Sequence, residues 1–210
     1  MSGVLVRDYP PEYGPLAEVL GFGLGLNFTP KWAADADFLL LLAARMTALR
    51  PSTVIECSSG MSTLVLARCC ERNGLGQVIS LENGPEFAAN TREALAAYGL
   101  ESHVQIVDAP LRSLQLHGED YQWYDLAGLP QTGAQMLVVD GPPGFVQRHA
   151  RYPALPLLRA YLDPGASILL DDAARPDEQW MLKRWLAQSP GACFRYTATR
   201  RGCGILTLGD

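Results

Sequence analysis

The side chains with chemistry to offer follow short apolar stretches of the chain. The first group is Glu56-Cys57-Ser58-Ser59-Gly60-Met61-Ser62-Thr63, small and polar residues around a carboxylate. Such a loop leads into a helix, and the free N–H groups of a helix start can hold an anionic or polar ligand group. An ordinary strand-to-helix turn would have the same composition. The second group is Glu82-Asn83, with Glu82 standing 26 residues beyond Glu56. A carboxylate there can accept both hydroxyls of a ribose, and the glycine-containing loop one strand earlier favours this over a merely solvated acid. Asp108, followed by Ala109 and Pro110, is the third; its carboxylate could accept from the exocyclic amine of adenine or serve only in a turn.

Asp140, Asp171 and Asp172 form the fourth group. On adjacent strand ends, three hard carboxylates are what an oxygen-seeking Mg²⁺ or Ca²⁺ needs. In the competing reading Asp140 borders a ligand pocket while Asp171 and Asp172 cap the helix that follows. Without a metal, Asp140 or His149 is the general base on offer, although a histidine beside Arg148 and Arg151 also suits a surface. Arg148, Arg151 and Arg175 could hold an acidic substrate group, but a solvated helix face is the favoured reading. Tyr121, Trp123 and Tyr124 read as a cover for a sheet edge. Trp180 and Trp185, in helical register with Leu182 and Leu186, read as packing.

Strands alternating with helices must position these groups. Residues 53–56, 77–81, 104–107, 136–140 and 167–170 are short and aliphatic, each closed by a polar or small residue, which predicts buried parallel strands. Helices are predicted over 62–72, 86–98 with Gly99 as the stop, 152–162 and 176–187. Upstream, Thr29 can cap a helix with Pro30 in its first turn, and Leu39, Leu42, Met46 and Leu49 fall at helical spacing. Before that, Pro10, Pro11, Pro15, Gly21, Gly23 and Gly25 break the chain too often for a long element. Residues 194–199 and 204–208 flank Arg200-Arg201-Gly202 with no helix between, the pattern of an antiparallel hairpin. The expected fold is α/β, a doubly wound seven-stranded mostly parallel sheet with a C-terminal antiparallel hairpin. It divides into an irregular arm over 1–28 and one domain over 29–210, with ligands at the carboxyl ends of the strands.

Glu56-x-x-x-Gly60-x-Ser62-Thr63, Glu82, Asp108-Ala109 and Asp140-Gly141-Pro142-Pro143 resemble, in this order, the motifs of class I S-adenosylmethionine-dependent methyltransferases, which have a Rossmann-like fold. The likeness is nearest to the small-molecule O-methyltransferase-like branch. Arg151-Tyr152-Pro153-Ala154-Leu155 and Leu169-Leu170-Asp171-Asp172 are also in register, and the resemblance runs over residues 53–208. It implies S-adenosylmethionine as cofactor. Glu56, Ser58, Gly60, Ser62 and Thr63 would lie at its amino acid end, Glu82 and Asn83 at the ribose, Asp108 and the Ala109 backbone at the adenine, and Asp140 on the pocket border. It further implies Asp140, Asp171 and Asp172 as ligands of a Mg²⁺ that lowers the pKa of a substrate hydroxyl, as in catechol-type O-methyltransferases. One position departs from the pattern: Ser58 stands where the family usually has a glycine, which permits positive φ or close backbone approach.

The chain has 210 residues, 17 basic and 22 acidic, with a net charge of −5, so charge alone gives no pull toward nucleic acid. Its longest apolar run, residues 38–44, falls far short of the roughly 20 residues needed to cross a bilayer, and its first residues show no secretory signal. Cys57, Cys69, Cys70, Cys193 and Cys203 include no C-x-x-C pair and read as reduced thiols in a cytoplasmic protein. The expectation is a methyltransferase moving a methyl group from S-adenosylmethionine to a small-molecule acceptor at oxygen, with or without Mg²⁺. No nucleic acid or membrane partner is expected, and a homodimer is left open. The alternative is a catalytically inert S-adenosylmethionine-binding protein with an interaction role. A nicotinamide-dependent oxidoreductase is disfavoured, because no G-x-G-x-x-G follows the first strand.

Overall fold

The computed structural model describes Leu5 and residues 8–209. Where an irregular arm was expected, the chain folds. Pro15 sits in the first turn of α1 (Gly14–Leu20) and Gly21, at φ +71°, ends it, so two of the residues that read as breaks are a helix start and a helix stop. Leu16, Leu20, Phe22 and Leu26 are buried in the main core, which packs this stretch onto the rest of the protein. Residues 1–4, 6 and 7 of the expected arm lie outside the described residues. α2 (Ala36–Leu49) begins later than the Thr29 cap predicted, because Lys31 takes φ +72° and breaks a right-handed helix, leaving the extended Asp35 as N-cap.

The chain then alternates: β1 (Thr53–Cys57), α3 (Met61–Asn73), β2 (Gln77–Glu82), α4 (Pro85–Ala97) and β3 (Val104–Asp108). Next come β4 (Leu111–Leu116) and β5 (Glu119–Tyr124), a separate antiparallel ribbon that lies outside the predicted strands. His117 and Gly118 at its tip both have positive φ, the geometry that a two-residue hairpin turn requires. Tyr121, Trp123 and Tyr124 on β5 are buried in the second core. The chain continues through β6 (Ala134–Val139), α5 (Ala154–Leu158), β7 (Leu162–Leu170), α6 (Pro176–Gln188), β8 (Cys193–Thr197) and β9 (Cys203–Thr207). α5 is shorter than predicted because a 3-10 turn, Arg159–Tyr161, follows it and β7 starts early, at Leu162.

The strands form one sheet in the order β3-β2-β1-β6-β7-β9-β8. β3, β2, β1, β6 and β7 run parallel, while β9 is antiparallel to both β7 and β8. This is the expected fold. Neighbouring residues of one strand enter opposite cores: Val54, Val78 and Met136 join α1 to α4, and Ile55, Ile79 and Leu137 join α5, α6 and the ribbon. Strands buried on both faces must be apolar throughout, and each aliphatic side chain so buried contributes about 1.5–3 kcal/mol. Strand order reverses between β1 and β6, so the loops leaving these strands part and open a crevice.

Candidate active site

The loop after β1 is held from behind by Glu56. Its Oε2 accepts from Thr63 Oγ1 at 2.6 Å, and Thr63 Oγ1 in turn accepts from Gly60 N at 2.9 Å. Glu56 is buried and its Oε1 has no hydrogen-bond partner; burial pushes its pKa up to about 7. Ser58 takes φ +90°, the left-handed backbone that a glycine adopts without strain. Its N–H donates to Leu81 O at 2.8 Å and its carbonyl accepts from Ser80 Oγ at 2.7 Å. Glu82 closes β2 and bridges two backbones: Oε2 accepts from Ser59 N and Oε1 from Gly84 N, both at 2.7 Å.

Ser58, Gly60, Ser62, Glu82, Asn83, Asp140 and His149 line one cavity of roughly 820 Å³ at the crevice. Glu56 and Thr63 are not on its wall; they shape the loop that is. Asp108 pairs with Glu82 in strand register, but its side chain is exposed and held by Arg92 at 2.9 Å. The Ala109 N–H donates to the Glu82 carbonyl at 2.7 Å. Neither Asp108 nor Ala109 lines the cavity, where Phe87, Asn90 and Thr91 of α4 stand instead.

Residues 27–34, between α1 and α2, roof the cavity, and residues 143–145 and 149–151 form its far wall. Trp32 and Phe145 meet edge to face across the rim, ring centroids 5.8 Å apart, and both are exposed. The roof is tied down by Tyr13 Oη donating to Ala34 O at 2.9 Å, and by Arg201 Nε on Asp35 Oδ2 at 2.8 Å. The sequence reading missed this roof and Arg201. None of residues 110–133 lines the cavity.

Asp140, Asp171 and Asp172 come together, with carboxylate oxygens within 4.8 Å of one another. Guanidinium groups are interleaved with them. Arg151 Nη2 lies 3.1 Å from Asp140 Oδ1 and 2.9 Å from Asp172 Oδ2, and Arg175 Nη1 lies 2.8 Å from Asp172 Oδ2. Arg201 reaches Asp172 at 3.4 Å and Asp171 at 3.5 Å. Burial and the neighbouring carboxylates push the Asp171 pKa upward. Arg151 is therefore neither on a solvated face nor free for a substrate; it is buried among acids. Arg148 is exposed, with Asp177 3.7 Å away. His149 lines the cavity; its Nε2 is buried without a hydrogen bond, 3.7 Å from Asp177 Oδ1, and burial lowers its pKa. Its ring stacks on Trp180, so this tryptophan supports the site as well as packing the helix, whereas Trp185 is wholly buried.

A parallel sheet with an inserted antiparallel strand, and a cavity where its order reverses, defines the class I methyltransferase fold. The chain belongs to the methyltransferase domain family, which matches residues 55–173. No curated protein matches it in sequence. Among solved structures, SAH-bound methyltransferase PaMTH1 of Podospora anserina superposes with a TM-score of 0.68 at 15% identity, over 96% of this chain and 89% of that one. The O-methyltransferase of Bacillus cereus in complex with SAH gives 0.63 at 14% identity, over 97% and 93%. The O-methyltransferase TomG of Streptomyces achromogenes, involved in tomaymycin synthesis and in complex with SAM, gives 0.60 at 16%, over 98% and 93%. The resemblance read from the strand-end motifs holds.

Proposed function

We propose that the protein transfers a methyl group from S-adenosylmethionine to an oxygen of a small molecule, with His149 as general base. The observation that carries this is the placing of the buried Glu82 carboxylate and the His149 imidazole on the wall of one cavity. Glu82 fits a ribose: two backbone N–H groups use part of its acceptor capacity, and a carboxylate with about four lone-pair sites keeps room for two hydroxyls. The cofactor, when bound, supplies a methyl group on a sulfonium for in-line displacement.

The chain's own residues do the rest. The start of α3, at Met61 and Ser62, offers N–H groups to the amino acid end. Asn83, Phe87 and Asn90 form the wall beside Glu82, where the adenine would rest; Asp108 would join them only by releasing Arg92. His149, neutral because burial lowers its pKa, takes the acceptor's proton on its imidazole, a contribution of typically 10²–10⁴-fold. Asp140, engaged by Arg151, borders the pocket. The Trp32–Phe145 rim keeps water from the transfer and covers the acceptor. The free thiols Cys57, Cys69, Cys70 and Cys203 are buried, which suits a reducing cytoplasm, and no described helix is long and apolar enough to cross a membrane.

The test is incubation with methyl-deuterated S-adenosylmethionine and a panel of phenols, hydroxy acids and amines, read by mass spectrometry. Label on oxygen supports the reading. Label only on nitrogen overturns the choice of atom, and cofactor binding without any product would favour the inert alternative.

A further inference from the structure

The three clustered carboxylates have the spacing of a cation site, yet the space between them is already used. Arg151 is almost wholly buried, with a side chain only 5% exposed. Its Nη2 bridges Asp140 and Asp172, its Nη1 donates to the Asp171 carbonyl at 3.2 Å, and Glu178 Oε1 stands 3.9 Å away. Arg175 and Arg201 take further positions on Asp172. Asp171, the third acid, is off the cavity wall, while Asp140, Asp172 and Arg151 are on it.

A Mg²⁺ needs its oxygen ligands at about 2.0–2.1 Å and a Ca²⁺ at about 2.3–2.6 Å. For Asp140 and Asp172 to share either ion, the Arg151 guanidinium between them must leave, giving up its contacts with both acids and with the Asp171 carbonyl. Arg175 and Arg201 would still flank the incoming positive charge. The residues present fit a guanidinium-bridged cluster and do not fit a divalent cation.

We propose that Arg151 itself fills the cation position in this chain, so that the cluster excludes divalent metal and the transfer proceeds without one. Arg151 is a positioning residue: it holds Asp140 at the pocket border and leaves proton removal to His149. The exclusion of metal stands on the geometry alone; only the statement about transfer rests on the proposed function.

The test is Mn²⁺ titration followed by the electron paramagnetic resonance signal of the free ion, which needs no turnover and so separates this proposal from the methyl-transfer reading. The wild-type protein should leave Mn²⁺ free into the millimolar range. Arg151→Ala, which unbridges the acids, should bind it about 10-fold more tightly or better, with Mg²⁺ competing. Arg151→Met, which fills the same volume without charge, replaces that variant if it does not fold. Stoichiometric Mn²⁺ uptake by the wild type at micromolar concentration overturns the proposal even if neither variant folds. So does a folded variant with no gain in affinity. Where methyl transfer is measured, a chelator should change its rate less than about two-fold; activity lost to chelator and restored by Mg²⁺ overturns metal independence.

Discussion

The imidazole of His149 lies flat against the indole of Trp180, ring centroids 3.8 Å apart and planes within 5°. The indole covers one face of the ring, and burial lowers the pKa of His149 below its ordinary 6.5, against the upward pull of Asp177. A base in this state is unprotonated and competent at neutral pH. Methyl transfer should therefore rise with pH through an inflection below 6.5 and be flat above it. His149→Gln should cut kcat by about 10²–10⁴-fold with little change in S-adenosylhomocysteine affinity by calorimetry, and Trp180→Ala should move the inflection upward. An unchanged kcat in His149→Gln removes this residue from the mechanism.

Ser58 holds a positive φ in the loop that lines the cavity, a strain of order 1–3 kcal/mol for a residue with a side chain. Glycine relieves it but brings roughly 0.5–1 kcal/mol of extra chain entropy to the unfolded state. Ser58→Gly should thus be stabilised by about 1 kcal/mol, or about 2–4 °C in Tm for a chain of this size. Thermal melting of the two proteins decides it, and a lower Tm in the variant would mean that the serine makes a contact outweighing its strain.

Glu56 should make stability depend on pH. Burial raises its pKa to about 7, the charge of Asp140 adds to the rise, and the hydroxyls of Ser62, Thr63 and Ser80 oppose it. The folded state therefore holds the proton more tightly than the unfolded one. The stability this confers is complete below about 4.5 and is lost as pH rises to about 7, a decline of roughly 3 kcal/mol at most. Glu56→Gln keeps an acceptor for Thr63 and should flatten that decline. Urea unfolding at pH 5 and pH 8 measures it; equal slopes for both proteins would contradict a buried proton on Glu56.

Glu82→Ala removes the acceptor shared by Ser59 N and Gly84 N and, on the proposed function, both ribose contacts. Charge-assisted hydrogen bonds contribute about 1.5–3 kcal/mol each, so S-adenosylhomocysteine affinity should fall by 10²-fold or more. Calorimetric titration reads this directly, and an unchanged Kd would sink the ribose assignment.

The sheet was legible because strands buried on both faces must be aliphatic, and because an acid or small residue closes each one, as Glu56, Glu82 and Asp140 do. The final hairpin was legible from Arg200-Arg201-Gly202 with no helix around it. The ribbon β4–β5 escaped because its turn uses His117 before Gly118, where asparagine or aspartate is the usual signal. The roof escaped for a different reason. Lys31 adopts a backbone that no local pattern announces, and Trp32 meets Phe145 only because the fold brings the two loops together. Arg151 stood out in the motif, yet its partners come from the ends of β6 and β7 and from α6, so its burial is a property of the assembled sheet. Ser58 was noticed as a departure from glycine, and the structure gives the physical content of that departure as a positive φ.

The ties between roof and hairpin also impose an order in time. Arg200 N–H donates to Asp37 Oδ2 at 2.5 Å, and Arg201 holds Asp35, joining residues more than 160 positions apart. The ribosome makes every other residue on the cavity wall before it makes Arg201. A nascent chain that already carries the loop after β1 and the acid of β2 still has a roof without these anchors. The site is thus completed only once the turn before β9 has been made, so that a roofed cavity is a property of the finished hairpin rather than of the growing sheet.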